Sequence, residues 1–161
     1  MNNEERLLTG FRDVYNKLVW LNKSKMERSL SGYKPAEVHC LEFIQKNSEV
    51  NVTKLAEAFY MTRSAMSKMT KKLMEKGVVE SYQKPENKKE IYFRLTEKGR
   101  QVDQIHTELH QEFRERDQSV FDTITEQELE GMMKFVDRYR EHLDEEIDKQ
   151  NRKSKSEERN G

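Results

Sequence analysis

Cysteine, proline and glycine are all scarce in this chain, and each scarcity excludes something. A single cysteine, Cys40, among 161 residues leaves no intramolecular disulfide framework. Two prolines and six glycines leave long stretches without a helix breaker. No apolar run approaches the roughly 18–20 residues that a bilayer-spanning helix needs. The polar start Asn2-Asn3-Glu4-Glu5-Arg6 lacks the apolar stretch of a secretory leader, so a cytoplasmic location without membrane contact is expected. Enzyme signatures are missing too: there is no Gly-rich phosphate loop, nucleophile elbow or Cys/His dyad, and the carboxylates are spread along solvated faces. Net charge is zero, with 30 Lys/Arg against 30 Asp/Glu, and by itself points to no partner.

What is present is charge, and it is unevenly placed. Residues 62–100 carry 11 Lys/Arg against 5 Asp/Glu, a net +6, whereas residues 101–148 carry 5 against 15, a net −10. A basic middle beside an acidic flank suits a DNA-facing module joined to a part that faces away. With hydrophobic residues at 34 % and charged residues at 37 %, the core must be modest and the helical faces long.

Periodicity divides the chain into a mainly α arrangement with a small β element (α+β). Leu7, Phe11, Val14, Leu18 and Leu21 mark an amphipathic helix over about 4–29, ended by Ser31-Gly32. Pro35 opens a second helix, about 35–47, with Val38, Leu41 and Ile44 inward. Asn51 or Thr53 caps a short helix at 54–59, and Tyr60-Met61 is a break. Thr62 then caps a helix to Lys76 that Gly77 closes. Two strands, 78–84 and 89–95, flank the turn Pro85-Glu86-Asn87-Lys88. Thr96 caps a long helix, 97–121, with Val102, Ile105, Leu109 and Phe113 as its stripe. Thr125 to Glu128 forms a capping box for a last helix carrying Leu129, Met132, Met133, Val136, Leu143 and Ile147. Residues 149–161 read as a disordered charged tail.

Helix, break, helix and hairpin in that order make a winged helix-turn-helix, here residues 35–96. Residues 1–34 and 97–148 form a helical region whose apolar stripes call for homodimerisation. In the helix after the break, Ala65, Met66, Met69 and Leu73 pack inward. Thr62, Arg63, Ser64, Ser67, Lys68, Lys71 and Lys72 are left to meet DNA, the hydroxyls and Arg near the positive end of the helix dipole. The wing adds Lys84, Asn87, Lys88 and Lys89 as backbone contacts. The alternative of a protein–protein adaptor that has lost DNA binding predicts an uncharged or acidic surface here, and these cations weigh against it.

The stretch VTKLAEAFYMTRSAMSKMTKKLMEKGVVES, followed by KPENKKEIYFRLTEKGR, resembles the MarR family of transcription regulators. The similarity runs from about residue 5 to 148. It implies a homodimeric, effector-responsive regulator of the repressor type that binds a pseudo-palindromic duplex operator and needs no cofactor. The wing tip departs from the family's usual Asp-Arg, carrying Asn87-Lys88 instead. Members of the family answer to small molecules, thiol oxidants or metals. Cys40 reads as a small buried hydrophobe, not a sensing thiol, and Tyr15, Trp20, Tyr33 and Phe43 can line an apolar cleft. His106 and His110, four apart on one helix, share a face and suit one metal ion. Resemblance to the zinc-sensing branch of the family implies a Zn2+ site of Glu27, His39, His106 and His110, and with it a zinc-responsive regulator as the alternative function.

Overall fold

Pattern becomes structure along most of the chain. The computed structural model describes residues 2–160: six helices and one antiparallel two-stranded sheet. Helix α1 spans Asn3–Ser29 and is started by a capping box between Asn2 and Glu5. Helix α2 is Pro35–Lys46, with proline in its first turn. Helix α3, Val52–Ala58, begins where Asn51 Oδ1 accepts the Lys54 N–H at 2.8 Å. Helix α4 is Arg63–Glu75, strands β1 and β2 are Val79–Lys84 and Asn87–Leu95, α5 is Glu97–Phe121 and α6 is Glu126–Asn160. No helix among the described residues is long and apolar enough to cross a membrane.

Two compact units meet between Arg114 and Glu115, inside α5. The first holds the core. Leu41 of α2, Val50, Leu55 of α3, Leu73 of α4 and Val78 are wholly buried, and Val102, Leu109 and Phe113 of α5 join them. Gly77 takes a φ of +73°, the left-handed turn that ends α4 and that side chains with a Cβ adopt poorly. Gly99 is needed for a different reason. A Cβ there would lie 2.0 Å from the Val78 carbonyl oxygen, so only glycine lets α5 start against the end of α4. The Val78 carbonyl itself accepts the Thr96 N–H at 3.1 Å, which fixes that junction.

Three local expectations need correcting. The turn is tighter than four residues: Lys84 pairs with Asn87, so β2 begins at Asn87 and only Pro85-Glu86 are left between the strands. Along β2, where strict alternation would turn Ile91 inward with Phe93 and Leu95 and Tyr92 outward, Ile91 is half exposed and Tyr92 is buried, its ring 5.5 Å from that of Tyr82. The tail expected to be disordered from 149 continues α6 to Asn160. No proline or glycine interrupts the chain between Gly131 and Gly161, and Lys149 pairs with Glu146 one turn back at 2.8 Å. Gly161 lies outside the described residues.

The two terminal helices differ in kind from the elements of the core. No residue of α1 is buried: Leu7, Phe11, Val14, Leu18 and Leu21 are 38–56 % exposed. In the second unit, Leu129, Met132, Met133, Val136 and Leu143 of α6 are 38–54 % exposed.

Candidate functional site

Helix α4 has a sealed face and an open one. Met66, Thr70 and Leu73, at steps of four and three, are buried. The Thr70 hydroxyl donates to the Ser67 carbonyl at 3.0 Å, which lets a short polar side chain turn inward. On the other face Arg63, Ser64, Ser67, Lys68, Lys71 and Lys72 are all exposed. Thr62 caps the helix by accepting the Ala65 N–H at 3.1 Å. Tyr60, in the turn before it, sits at a positive φ of 53°, the sharp reversal between α3 and α4. Arg63 and the hydroxyls of Thr62, Ser64 and Ser67 thus lie in the first turns of the helix, where the dipole favours phosphate, and the lysines follow further along it.

The hairpin presents its cations unequally. Lys88 and Lys89 are exposed, and Asn87 Oδ1 accepts the Lys89 N–H at 3.2 Å, a local turn bond. Lys84 is engaged within the protein. Its ammonium pairs with the carboxylate of Glu49 and stands 5.4 Å from the centre of the Tyr92 ring. The hydrogen bond from Lys84 holds the Glu49 carboxyl below the usual range, and the same bond raises the Lys84 ammonium.

A second pair went unseen in the sequence. Glu37 of α2 is buried and accepts from Lys76 Nζ at 2.6 Å, while Lys76 also donates to the Gly32 carbonyl at 2.7 Å and lies 5.1 Å from the Tyr33 ring centre. One lysine at the end of α4 therefore ties that helix to the α1–α2 turn. The other carboxylate oxygen of Glu37 is buried without a hydrogen bond. A lone Glu in a helical pattern reads as solvated, and only its tertiary partner, 39 residues away, reveals otherwise. Cys40, one turn on from Glu37, is buried; burial first and the Glu37 charge second push its thiol up to about 12, so it carries no reactive thiolate at neutral pH.

The histidines are partly brought together. His106 is buried and its Nε2 lies 2.8 Å from that of His110, the rings 4.3 Å apart centre to centre. His39, on the facing side of α2, reaches His106 edge-on at 5.6 Å. Burial, then the neighbouring His110, lowers His106 to about 4, and burial lowers His110 as well. Glu27 does not join them: it faces Lys23 on its own helix at 3.9 Å. The carboxylate whose charge acts on both imidazoles is Glu42, which accepts a hydrogen bond from Lys46 at 2.5 Å. Among the described residues no three His, Cys, Asp or Glu side chains converge on one point to hold a metal ion. Of the aromatic cleft candidates, Tyr15 and Trp20 are 67 % and 79 % exposed, whereas Tyr33 and Phe43 pack against the core.

Comparison with known proteins agrees with this architecture. The family model described as MarR family matches residues 34–91. An uncharacterized HTH-type transcriptional regulator of Bacillus subtilis, YhjH, is 38 % identical over 126 residues, covering 78 % of this chain and 69 % of that protein. Among solved structures, Streptococcus pneumoniae FabT in complex with DNA superposes with a TM-score of 0.77 at 19 % identity, covering 89 % of this chain and 99 % of that one. Staphylococcus aureus MarR in complex with salicylate and kanamycin gives 0.71 at 16 % identity, covering 89 % and 93 %. The chain belongs to the MarR family and is a DNA-binding transcriptional regulator, not an enzyme.

Proposed function

We propose that this protein is an effector-responsive repressor that acts as a homodimer on a pseudo-palindromic duplex operator. The observation that carries the reading is the open face of α4: Thr62, Arg63, Ser64, Ser67, Lys68, Lys71 and Lys72 exposed together, opposite a buried face that fixes the helix to the core. Arg63, Ser64 and Ser67 sit early enough in the helix to reach base edges, and the later lysines suit phosphates. Lys88, Lys89 and Asn87 of the wing add contacts to the backbone. The same exposed cations weigh against a protein–protein adaptor. Two copies would cover the apolar stripe of α1 and place two α4 helices on half-sites about one helical turn apart. FabT's complex with DNA and S. aureus MarR's with salicylate support a duplex partner and a small-molecule effector respectively.

The test is an operator duplex selected from random-sequence DNA by the full chain. Arg63→Ala with Lys68→Ala is expected to weaken its binding at least tenfold, at about 1–3 kcal/mol for a lost base contact, with the oligomer and its melting unchanged. Unaltered affinity at physiological salt would remove α4 from the interface.

A second reading, zinc as the effector, is favoured by one observation: the two neutral imidazoles of His106 and His110 with Nε2 atoms facing each other. His39, edge-on to His106, and Glu42, whose charge acts on both imidazoles, join the Glu27 implied by resemblance as the further donors such a site would draw on. Stoichiometric zinc is then expected to raise the melting temperature by mass action, an effect lost in His106→Ala. Dialysis that shows no His106-dependent zinc retention would end this reading.

A further inference from the structure

Of the five residues between α2 and α3, the last three each hold a different point of the wing. Val50 accepts the Phe93 N–H at 2.9 Å and forms an isolated bridge with that residue. Asn51, while capping α3, donates from Nδ2 to Glu90 at 3.4 Å. Glu49, the first of the three, pairs with Lys84 on the opposite strand. Glu49 adopts a positive φ of 53°, which few residues other than glycine take unless their surroundings hold them there. Lys84 sits at the register irregularity of the hairpin and over the Tyr92 ring, with its side chain 28 % exposed.

We infer that Lys84 is a positioning residue and not a DNA contact: with Glu49 it braces the wing against the helix-turn-helix, so that Lys88 and Lys89 meet the duplex at a fixed distance from α4. The inference rests on the DNA-binding reading above. It divides the wing's cations by role. A lysine already neutralised by a carboxylate releases no counterion from a phosphate, whereas Lys88 and Lys89 do. Residues 49–51 run directly into α3, so a wing held by them is held to the same element that positions α4.

The test uses the full chain, the selected duplex, and four proteins: wild type, Glu49→Gln, Lys84→Gln and the double variant. A brace predicts that each single change weakens binding about two- to fivefold, the range of one exposed ion pair, and that the double variant is no weaker than either. It also predicts that Lys84→Gln leaves the slope of log affinity against log salt unchanged, and that amides of β1 and β2 exchange faster in both single variants. Two results would overturn it. One is a salt slope reduced by about 0.9 in Lys84→Gln, the signature of one lost phosphate contact, with Glu49→Gln binding more tightly. The other is single variants that match wild type in both affinity and exchange. Failure of wild type to select any duplex sinks the DNA-binding reading instead, and hydrogen exchange still decides whether the brace exists.

Discussion

The winged helix-turn-helix and the terminal helices answer the same problem in opposite ways. From α2 to β2 the apolar residues are closed in: Leu41, Val50, Leu55, Leu73 and Val78 are inaccessible to solvent, and the charged face of α4 lies over a sealed one. Helix α1 has a comparable number of apolar side chains at helical spacing and buries none of them, and α6 is the same within its own unit. Both are well capped and regular, so the difference is not one of secondary structure. Helix α4 is set against α3 and β1, whereas α1 touches the core only near its end, through Met26, and leaves its apolar stripe open to solvent. The closed region covers its own apolar residues, and the open stripes are the surface that the proposed homodimer would cover.

The largest effect is expected where that closure is tightest. Leu73→Ala empties a fully buried position on the inner face of α4 and should lower the unfolding free energy by about 2–5 kcal/mol. Urea unfolding measures it. Oligomeric state at low denaturant should be unchanged, because the stripes of α1 and α6 are untouched. A loss below about 1 kcal/mol would mean that the closed region is looser than its burial implies, and would erase the contrast.

Next in size is the converse change on the open side. Phe11→Glu with Leu18→Glu places two carboxylates in a stripe that is 38–45 % exposed at those positions. The winged helix should keep its melting behaviour, since nothing of α1's stripe lies in the core. Sedimentation should shift to the monomer, and operator affinity should fall by about two orders of magnitude as the second half-site contact is lost. A variant that stays dimeric would place the interface elsewhere.

The same contrast explains what could be seen from sequence. Helix boundaries were legible because their signals are local: Asn51 and Thr62 as caps, Pro35 in a first turn, Gly77 after a last one. The exposed basic face of α4 was legible because amphipathic spacing separates Leu73 from Lys72. What was hidden depends on partners far apart in the chain. Glu37 looks solvated until Lys76 arrives from 39 residues away, and Lys84 looks free until Glu49 meets it. Thr70 turns inward on a bond to Ser67 that composition does not announce. Charge patterning identified the basic block but could not show which of its lysines are already paired. Resemblance along α1 points to Glu27, whereas the carboxylate whose charge acts on both His106 and His110 is Glu42 of α2, a tertiary neighbour that spacing along one helix does not announce.

The smallest effect probes the place where a polar seam enters the closed region. His106 belongs to the buried stripe of α5, between Val102 and Leu109, yet it is an imidazole facing His110, His39 and Glu42, with Lys46 and Arg114 nearby. Burial and then His110 lower it to about 4, against about 6.5 in an unfolded chain. The unfolded state therefore binds its proton first as pH falls. Stability from the neutral ring is complete above pH 6.5 and is lost progressively toward pH 4, and His110, shifted the same way, adds to the loss. The change between pH 7 and pH 4.5 should be on the order of 2 kcal/mol. Urea midpoints across that range, measured in a chelator to keep metals away, give the profile, and His106→Leu should flatten it while keeping the position filled. If wild type and His106→Leu fall off equally, the imidazole is hydrated enough to accept a proton in place. The seam would then belong with the open helices rather than with the core.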